Sequence, residues 1–178
     1  MISKTLLFLA LICFSLSIVA QTDSDSKLAQ YYYENGEFDK ALTYYEKIYD
    51  QDQSKLIFNR YVDCLLQTKD LKKAEKTIKK QISLNQKDLS LQLQLASFYE
   101  LNDEASKSKK VYNEVIDQAA KNPTSTTEVF RILLKENKTD LAKDILVKAS
   151  KLMPEYPFQL LYAELYGALG DNKKLIES

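Results

Sequence analysis

The chain has 178 residues, of which 45% are hydrophobic and 28% charged, with only 3 glycines and 3 prolines. This balance is typical of a folded domain and excludes a disordered or collagen-like chain. The 25 basic and 25 acidic residues cancel, so no excess of positive charge indicates nucleic acid binding. The sequence has no histidine, the usual general base and commonest neutral metal ligand, and its 2 cysteines are too few for a four-cysteine zinc site. It therefore predicts no catalytic residues, no metal site and no cofactor.

Residues 1–20 have the composition of a secretory signal peptide. Lys4 precedes an apolar run over 5–19, and Ala20 is followed by a polar segment that begins at Gln21. This order predicts cleavage between Ala20 and Gln21. The run is shorter than the roughly 20 apolar residues that span a bilayer, but an uncleaved membrane anchor stays open as the alternative.

The predicted export and the residue usage together suggest a location. The short signal and the abundance of lysine, asparagine, isoleucine and tyrosine favour a bacterial source. We therefore expect the mature chain in the periplasm or cell envelope, with secretion as the alternative. After cleavage the remaining cysteine would be Cys64, whose apolar neighbours Tyr61, Val62 and Leu65 predict a buried, unreactive thiol.

One pattern of apolar and small residues recurs along the mature chain. Its turn position is occupied, at intervals of 33, 34, 34 and 33 residues, by Gly36, Lys69, Asp103, Asn137 and Gly170. Apolar residues recur at helical spacing on both sides of this position. The sequence therefore predicts an all-α fold with two helices in each copy. A left-handed backbone is expected at Gly36 and Gly170, where it has no steric cost.

The copies are predicted to span approximately 22–54, 55–88, 89–122, 123–155 and an incomplete 156–178. Leu89, Leu91, Leu93 and Leu95 alternate with polar residues, which is typical of a strand. We favour a helix, because Leu and Gln are helix formers and the repeat places a first helix there. Whether the array continues beyond Ser178 stays open.

Two further signals predict where helices begin. Ser125 and Glu128 have the spacing of a capping box, which indicates a helix start after Pro123. Pro157 suits the first turn of the last helix.

The period of about 34 residues and the paired helices resemble the tetratricopeptide repeat over residues 22–178. In that family small residues let the two helices pack closely. Ala29, Val62, Ala96 and Ala163 match the position in the first helix, and Ala41, Ala74, Ser108 and Ala142 match the one in the second. Phe130 and Leu175 depart from it. The resemblance implies a right-handed α-solenoid whose first helices line a concave groove, and a non-catalytic scaffold that binds a protein or peptide.

The resemblance also implies which side chains face the groove: Gln30, Tyr33, Asn59, Asp63, Gln67, Ser97, Glu100, Arg131, Lys135 and Glu164. This mixed polar face suits an extended peptide or a partner helix. It does not match the Lys- and Asn-rich clamp with which some family members hold a C-terminal carboxylate.

A second surface is basic and is expected on the convex side, where its lysines are Lys69, Lys72, Lys73, Lys76, Lys79 and Lys80. A solvated helix face is the simplest interpretation. The alternative is an adaptor that docks through these lysines to anionic lipid or to an acidic surface, which leaves peripheral membrane contact open. A third interpretation makes the chain the recognition part of a longer enzyme or sensor.

Overall fold

The computed structural model describes residues 24–170, and the predicted signal peptide lies outside them. The described residues form nine helices and no strand. In chain order these are α1 (24–34), α2 (Phe38–Gln51), α3 (Lys55–Gln67), α4 (Leu71–Leu84), α5 (Leu89–Leu101), α6 (Ala105–Ala119), α7 (Pro123–Lys135), α8 (Thr139–Leu152) and α9 (Gln159–Ala168). The all-α class and the helix-turn-helix repeats predicted from the sequence are confirmed. None of these helices is both long and apolar enough to cross a membrane.

The turns inside the helix pairs share one geometry. A left-handed residue occupies each predicted turn position: Gly36 (φ 72°), Lys69 (63°), Asp103 (60°), Asn137 (58°) and Gly170 (70°). In the first four turns the following amide donates to the carbonyl five residues earlier, at 2.9 Å in each case. This bond closes a helix C-terminus in the Schellman manner. The left-handed backbone expected at Gly36 and Gly170 is confirmed, and three turns adopt it without glycine.

The alternating leucines belong to helix α5, as the repeat requires. At 100° per residue, Leu89 and Leu93 lie on one side of the helix and Leu91 and Leu95 on the other. All four are buried. The alternation therefore arises from a helix that buries two opposite sides, which produces no single apolar stripe.

The chain divides into two compact units, one up to Thr77 and one from Ile78 onwards. In the first unit α2 packs on α3, and the core is aromatic: the Tyr49 ring lies 5.1 Å from that of Tyr61 and 6.3 Å from that of Phe58. In the second unit α5 packs on α6, α7 on α8, and α8 on α6 and α9. Its main cluster is largely aliphatic and small, with Phe130, Tyr112 and Phe158 as its buried aromatic members, and Phe98 and Tyr99 are also buried in this unit.

Two predicted helix starts are wrong. Helix α7 begins at Pro123, because the Asn122 side chain accepts hydrogen bonds from the amides of Thr124 and Ser125 and caps the helix there. Ser125 therefore lies inside the first turn and is not the cap. Helix α9 begins at Gln159, so Pro157 precedes the helix.

Candidate protein-binding face

In the first unit, two of the predicted groove residues form a hydrogen bond between first helices. The Tyr33 hydroxyl on α1 donates to Oδ2 of Asp63 on α3. The Tyr33 ring also meets the rings of Phe38 and Tyr45 edge-on, with centroids 5.6 and 6.1 Å apart. Burial and the Asp63 carboxylate raise the pKa of Tyr33 above its ordinary value. The hydroxyl therefore stays protonated and remains a donor at neutral pH.

Arg60 completes this arrangement, although the sequence analysis did not select it. Its guanidinium carbon lies 4.1 Å from the centroid of the Tyr33 ring, within cation–π range. Among the described residues no carboxylate oxygen lies within salt-bridge distance of Arg60. Its side chain lines a cleft of about 210 Å³, here named the Arg60 cleft, together with Ser26, Gln30, Tyr45, Leu56 and Ile57.

In the second unit, the Glu100 carboxylate accepts two hydrogen bonds on the same oxygen. Lys138 Nζ lies 2.5 Å from Oε2, and the Tyr112 hydroxyl lies 3.1 Å from it. Ser97 Oγ is 3.0 Å from the same hydroxyl and 3.3 Å from Oε2 of Glu136. These side chains therefore form one connected network on α5, α6 and the turn that precedes α8.

The network shifts the pKa values of Glu100 and Lys138. The hydrogen bond from Lys138 lowers the pKa of Glu100, although burial acts in the opposite direction. Burial lowers the pKa of Lys138, but hydrogen bonds to Glu100 and Tyr112 outweigh burial and leave it above the ordinary value. Both groups are therefore held in their charged forms.

A bidentate ion pair joins two more of the predicted residues. Arg131 on α7 donates to Glu164 on α9 at 2.8 Å from Nη2 and 3.3 Å from Nε. Since α7 and α9 are first helices of successive copies, this pair is the counterpart of the Tyr33–Asp63 bond between α1 and α3. Lys135, one turn after Arg131, is exposed.

The structure thus pairs many of the predicted groove residues with one another or with nearby side chains. Gln30 donates to Glu34 at 2.8 Å, and Asn59 and Gln67 are exposed. Arg60 and Lys138 were missed. Arg60 precedes Asp63 by three residues on the same helix face, and this spacing was the signal available for it.

Only some of the lysines predicted to form a basic patch lie exposed on helix α4. Lys72, Lys76 and Lys80 are exposed and recur every four residues. Lys73 instead forms a salt bridge to Glu46 at 2.6 Å, and Lys69 lies in the turn before the helix.

Nothing in the described part of the chain is arranged to hold a metal ion: no group of three or more histidine, cysteine, aspartate or glutamate side chains comes together there. Cys64 is fully buried, and burial raises the pKa of its thiol to about 12. The predicted burial of this thiol is confirmed.

Comparison with known proteins agrees with this architecture. The family model described as tetratricopeptide repeat matches residues 32–91, so this part of the chain consists of tetratricopeptide repeats. A search of curated proteins finds no relative of the sequence.

Solved structures that are similar to this chain have low sequence identity to it. A MamA structure from Desulfovibrio magneticus is 13% identical, with a TM-score of 0.47 over 88% of this chain and 89% of that one. A tetratricopeptide repeat protein from Parabacteroides merdae is 14% identical, with a TM-score of 0.47 over 88% of this chain and 62% of that one. Such distant likenesses carry no argument about function.

Proposed function

We propose that this chain is a non-catalytic scaffold in the bacterial cell envelope, which binds a peptide or partner helix on the face formed by its first helices. At the general level, tetratricopeptide repeats are protein-interaction scaffolds and are typically non-catalytic. The envelope location rests on the signal-like composition of residues 1–20. The binding mode rests on the side chains of the first helices.

The observation that carries the binding mode is the pairing of successive first helices within each unit. Tyr33 on α1 bonds to Asp63 on α3, and Arg131 on α7 bonds to Glu164 on α9. Each pair fixes neighbouring first helices through polar side chains that solvent still reaches. Fixed polar groups reduce the entropy that a surface loses when it orders around a partner.

The binding mode is tested by differential affinity capture from an envelope extract, using the tagged chain and its Asn59→Ala, Asp63→Ala, Arg131→Ala variant. We expect a protein that is captured in stoichiometric amount by the parent chain and lost with the variant. A Lys72→Ala, Lys76→Ala, Lys80→Ala variant is the matched control. If the variant with three groove substitutions still captured the protein and the variant with three lysine substitutions did not, the binding site would lie on α4.

The exposed lysines at four-residue intervals on α4 favour one second candidate, an adaptor that docks to anionic lipid. Each lysine near an anionic bilayer contributes about 1 kcal/mol, an attraction that salt weakens. Sedimentation with phosphatidylglycerol vesicles at low and high salt tests this candidate. Binding that disappears in the lysine variant and at high salt would favour it over the groove.

The proposed location has its own test. We expect envelope fractions to contain a chain that begins at Gln21, identified by N-terminal sequencing. A chain that retains Met1 and sediments with membranes would indicate an uncleaved anchor instead.

A further inference from the structure

The Arg60 cleft differs from an ordinary solvated surface in the charge of its lining. Of its six lining residues, Arg60 is the one cation and none is an aspartate or glutamate. Burial raises the pKa of Tyr45, so this phenol is neutral at physiological pH. The lining therefore combines a single positive charge with uncharged walls.

The guanidinium in this cleft is held in place before any partner binds. It lies over the Tyr33 ring at 4.1 Å, and that ring is fixed in turn by the Asp63 hydrogen bond and by its edge contacts. Within the described part of the chain Arg60 forms no salt bridge, although the Tyr33 hydroxyl and the nearby Asp63 charge raise its pKa. A planar guanidinium presents paired N–H groups that match a carboxylate.

Apolar side chains stand beside this charge. Leu56 precedes Arg60 by four residues on α3 and is 65% exposed, while Ile57 is half-buried. Residues four apart on a helix lie about 5–6 Å from one another. A ligand that reaches Arg60 therefore also meets an uncovered leucine.

The volume of the cleft limits what can enter it. Pockets for drug-sized small molecules are usually about 300–1,000 Å³, so a cleft of about 210 Å³ falls below that range. It has room for one or two side chains of a polypeptide. The neighbouring carboxylates are already engaged, since Asp63 accepts from Tyr33 and Glu34 from Gln30.

We propose that the Arg60 cleft binds an aspartate or glutamate side chain of a partner polypeptide, with an adjacent apolar residue of that partner packed on Leu56. The inference rests on the proposed scaffold function and specifies the sequence that one part of its face selects. The carboxylate that Arg60 binds belongs to a side chain within the partner's sequence and not to the partner's C-terminus.

The test selects peptides without assuming a partner. A random peptide library, displayed with no free C-terminus, is panned on the full chain. The selected peptide is then synthesised with an amidated C-terminus and titrated by fluorescence anisotropy. A second peptide carries glutamine or asparagine in place of the acidic residue.

We expect the selected peptides to share an acidic residue next to an apolar one. Loss of an ionic hydrogen-bonded contact corresponds to roughly tenfold weaker binding, which we expect for Arg60→Gln and equally for the amide peptide. Leu56→Ser should weaken binding by a smaller factor, and Arg60→Lys should fall between the parent chain and Arg60→Gln. Lys143→Gln removes the same charge from an exposed site on helix α8, in the second unit and outside the predicted groove, and should leave affinity within about twofold.

The inference is overturned if no peptide is selected, if selection yields no acidic residue, or if the amide peptide binds as tightly as the acid. Equal losses with Arg60→Gln and Lys143→Gln would also overturn it, because they would reflect net charge alone. Circular dichroism confirms that each variant is folded. The peptide experiments could contradict the Arg60 proposal while the Asn59→Ala, Asp63→Ala, Arg131→Ala variant still failed to capture the partner protein. In that case the proposed scaffold function would stand without a role for the Arg60 cleft.

Discussion

The two units are built from the same kind of helix pair, but their cationic side chains have different partners. In the second unit Arg131 and Lys138 each bind a carboxylate, so their charges are compensated within the fold. In the first unit Arg60 stacks on a tyrosine and has no carboxylate partner among the described residues. Cations bound to a carboxylate join helices to one another. The Arg60 guanidinium, which the Asp63 charge attracts without a salt bridge, instead lines a cleft with exposed Leu56 and can contact another molecule.

The two cores differ in a similar way. Tyrosine rings fill the first unit beside Phe58, while aliphatic side chains surround Phe130 in the second. Both phenylalanines lie in first helices and both are fully buried. They therefore provide matched positions at which the two units can be compared.

The largest effect is expected from truncation of these rings. Phe58→Ala and Phe130→Ala should each lower the free energy of unfolding by about 3–5 kcal/mol, because each removes a buried ring and leaves a cavity. Urea denaturation followed by circular dichroism measures both losses. A loss below about 1 kcal/mol for either variant would show that its ring contributes little to the core assigned to it.

Cys64 then distinguishes whether the units open separately. Because its thiol is fully buried with a pKa of about 12, it should not react with a disulfide reagent at pH 8 until the first unit opens. We expect Phe58→Ala to speed labelling about a hundredfold or more, in proportion to its loss of stability. Phe130→Ala should speed it by less than tenfold. Equal acceleration by both variants would mean that the two units open together.

The ion pairs of the second unit should differ in what each carboxylate binds. Glu100 (53% exposed) accepts hydrogen bonds from Lys138 (19% exposed) and also from Tyr112. Among the described residues, Glu164 (32% exposed) binds only Arg131 (55% exposed). Glu100→Gln should therefore cost about 1 kcal/mol of stability, and Glu164→Gln less than that. Equal losses in urea denaturation would contradict this ranking.

The contribution of the Glu100 network should also depend on pH. Since the pKa of Glu100 is lowered from 4.5, its stabilisation is present above that pH and is lost as the pH falls through the lowered value. Since the pKa of Lys138 is raised from 10.5, its stabilisation is lost as the pH rises above that value. The difference between parent and Glu100→Gln should be widest between these limits.

The smallest expected effect is an increase in the free energy of unfolding. Lys69 adopts a left-handed backbone that costs a non-glycine residue about 1 kcal/mol, so Lys69→Gly should raise the free energy of unfolding by up to that amount. Asparagine tolerates this backbone, so Asn137→Gly in the second unit should gain only a few tenths of a kcal/mol. Thermal unfolding of both variants measures the difference. A destabilised Lys69→Gly would show that the lysine side chain itself stabilises the turn.

The sequence predicted the helix pairs and turn positions because each copy repeats the same local requirements. The left-handed residues recur at the intervals seen in the sequence, even where the residue is Lys69 or Asp103. The strand-like leucines of α5 were interpreted correctly because the repeat register outweighed the local pattern. Local signals misled at Ser125, where an asparagine three residues earlier caps the helix.

The polar pairs could not be predicted in the same way. Their separations along the chain are 30 residues for Tyr33–Asp63, 38 for Glu100–Lys138 and 33 for Arg131–Glu164. No single interval relates them, because side chains of different length reach different neighbours. The cation–π contact of Arg60 depends on a ring 27 positions earlier, and the periodicity does not indicate it.

The turns within helix pairs also determine where the chain can accept extra residues. All four described turns between paired helices have three residues, and the same backbone hydrogen bond closes each of them. The connections between copies vary, from three residues at 52–54 to six at 153–158. An inserted epitope or a natural insertion should therefore be tolerated between α8 and α9, while the same insertion after Asp103 would separate α5 from α6, which pack on one another.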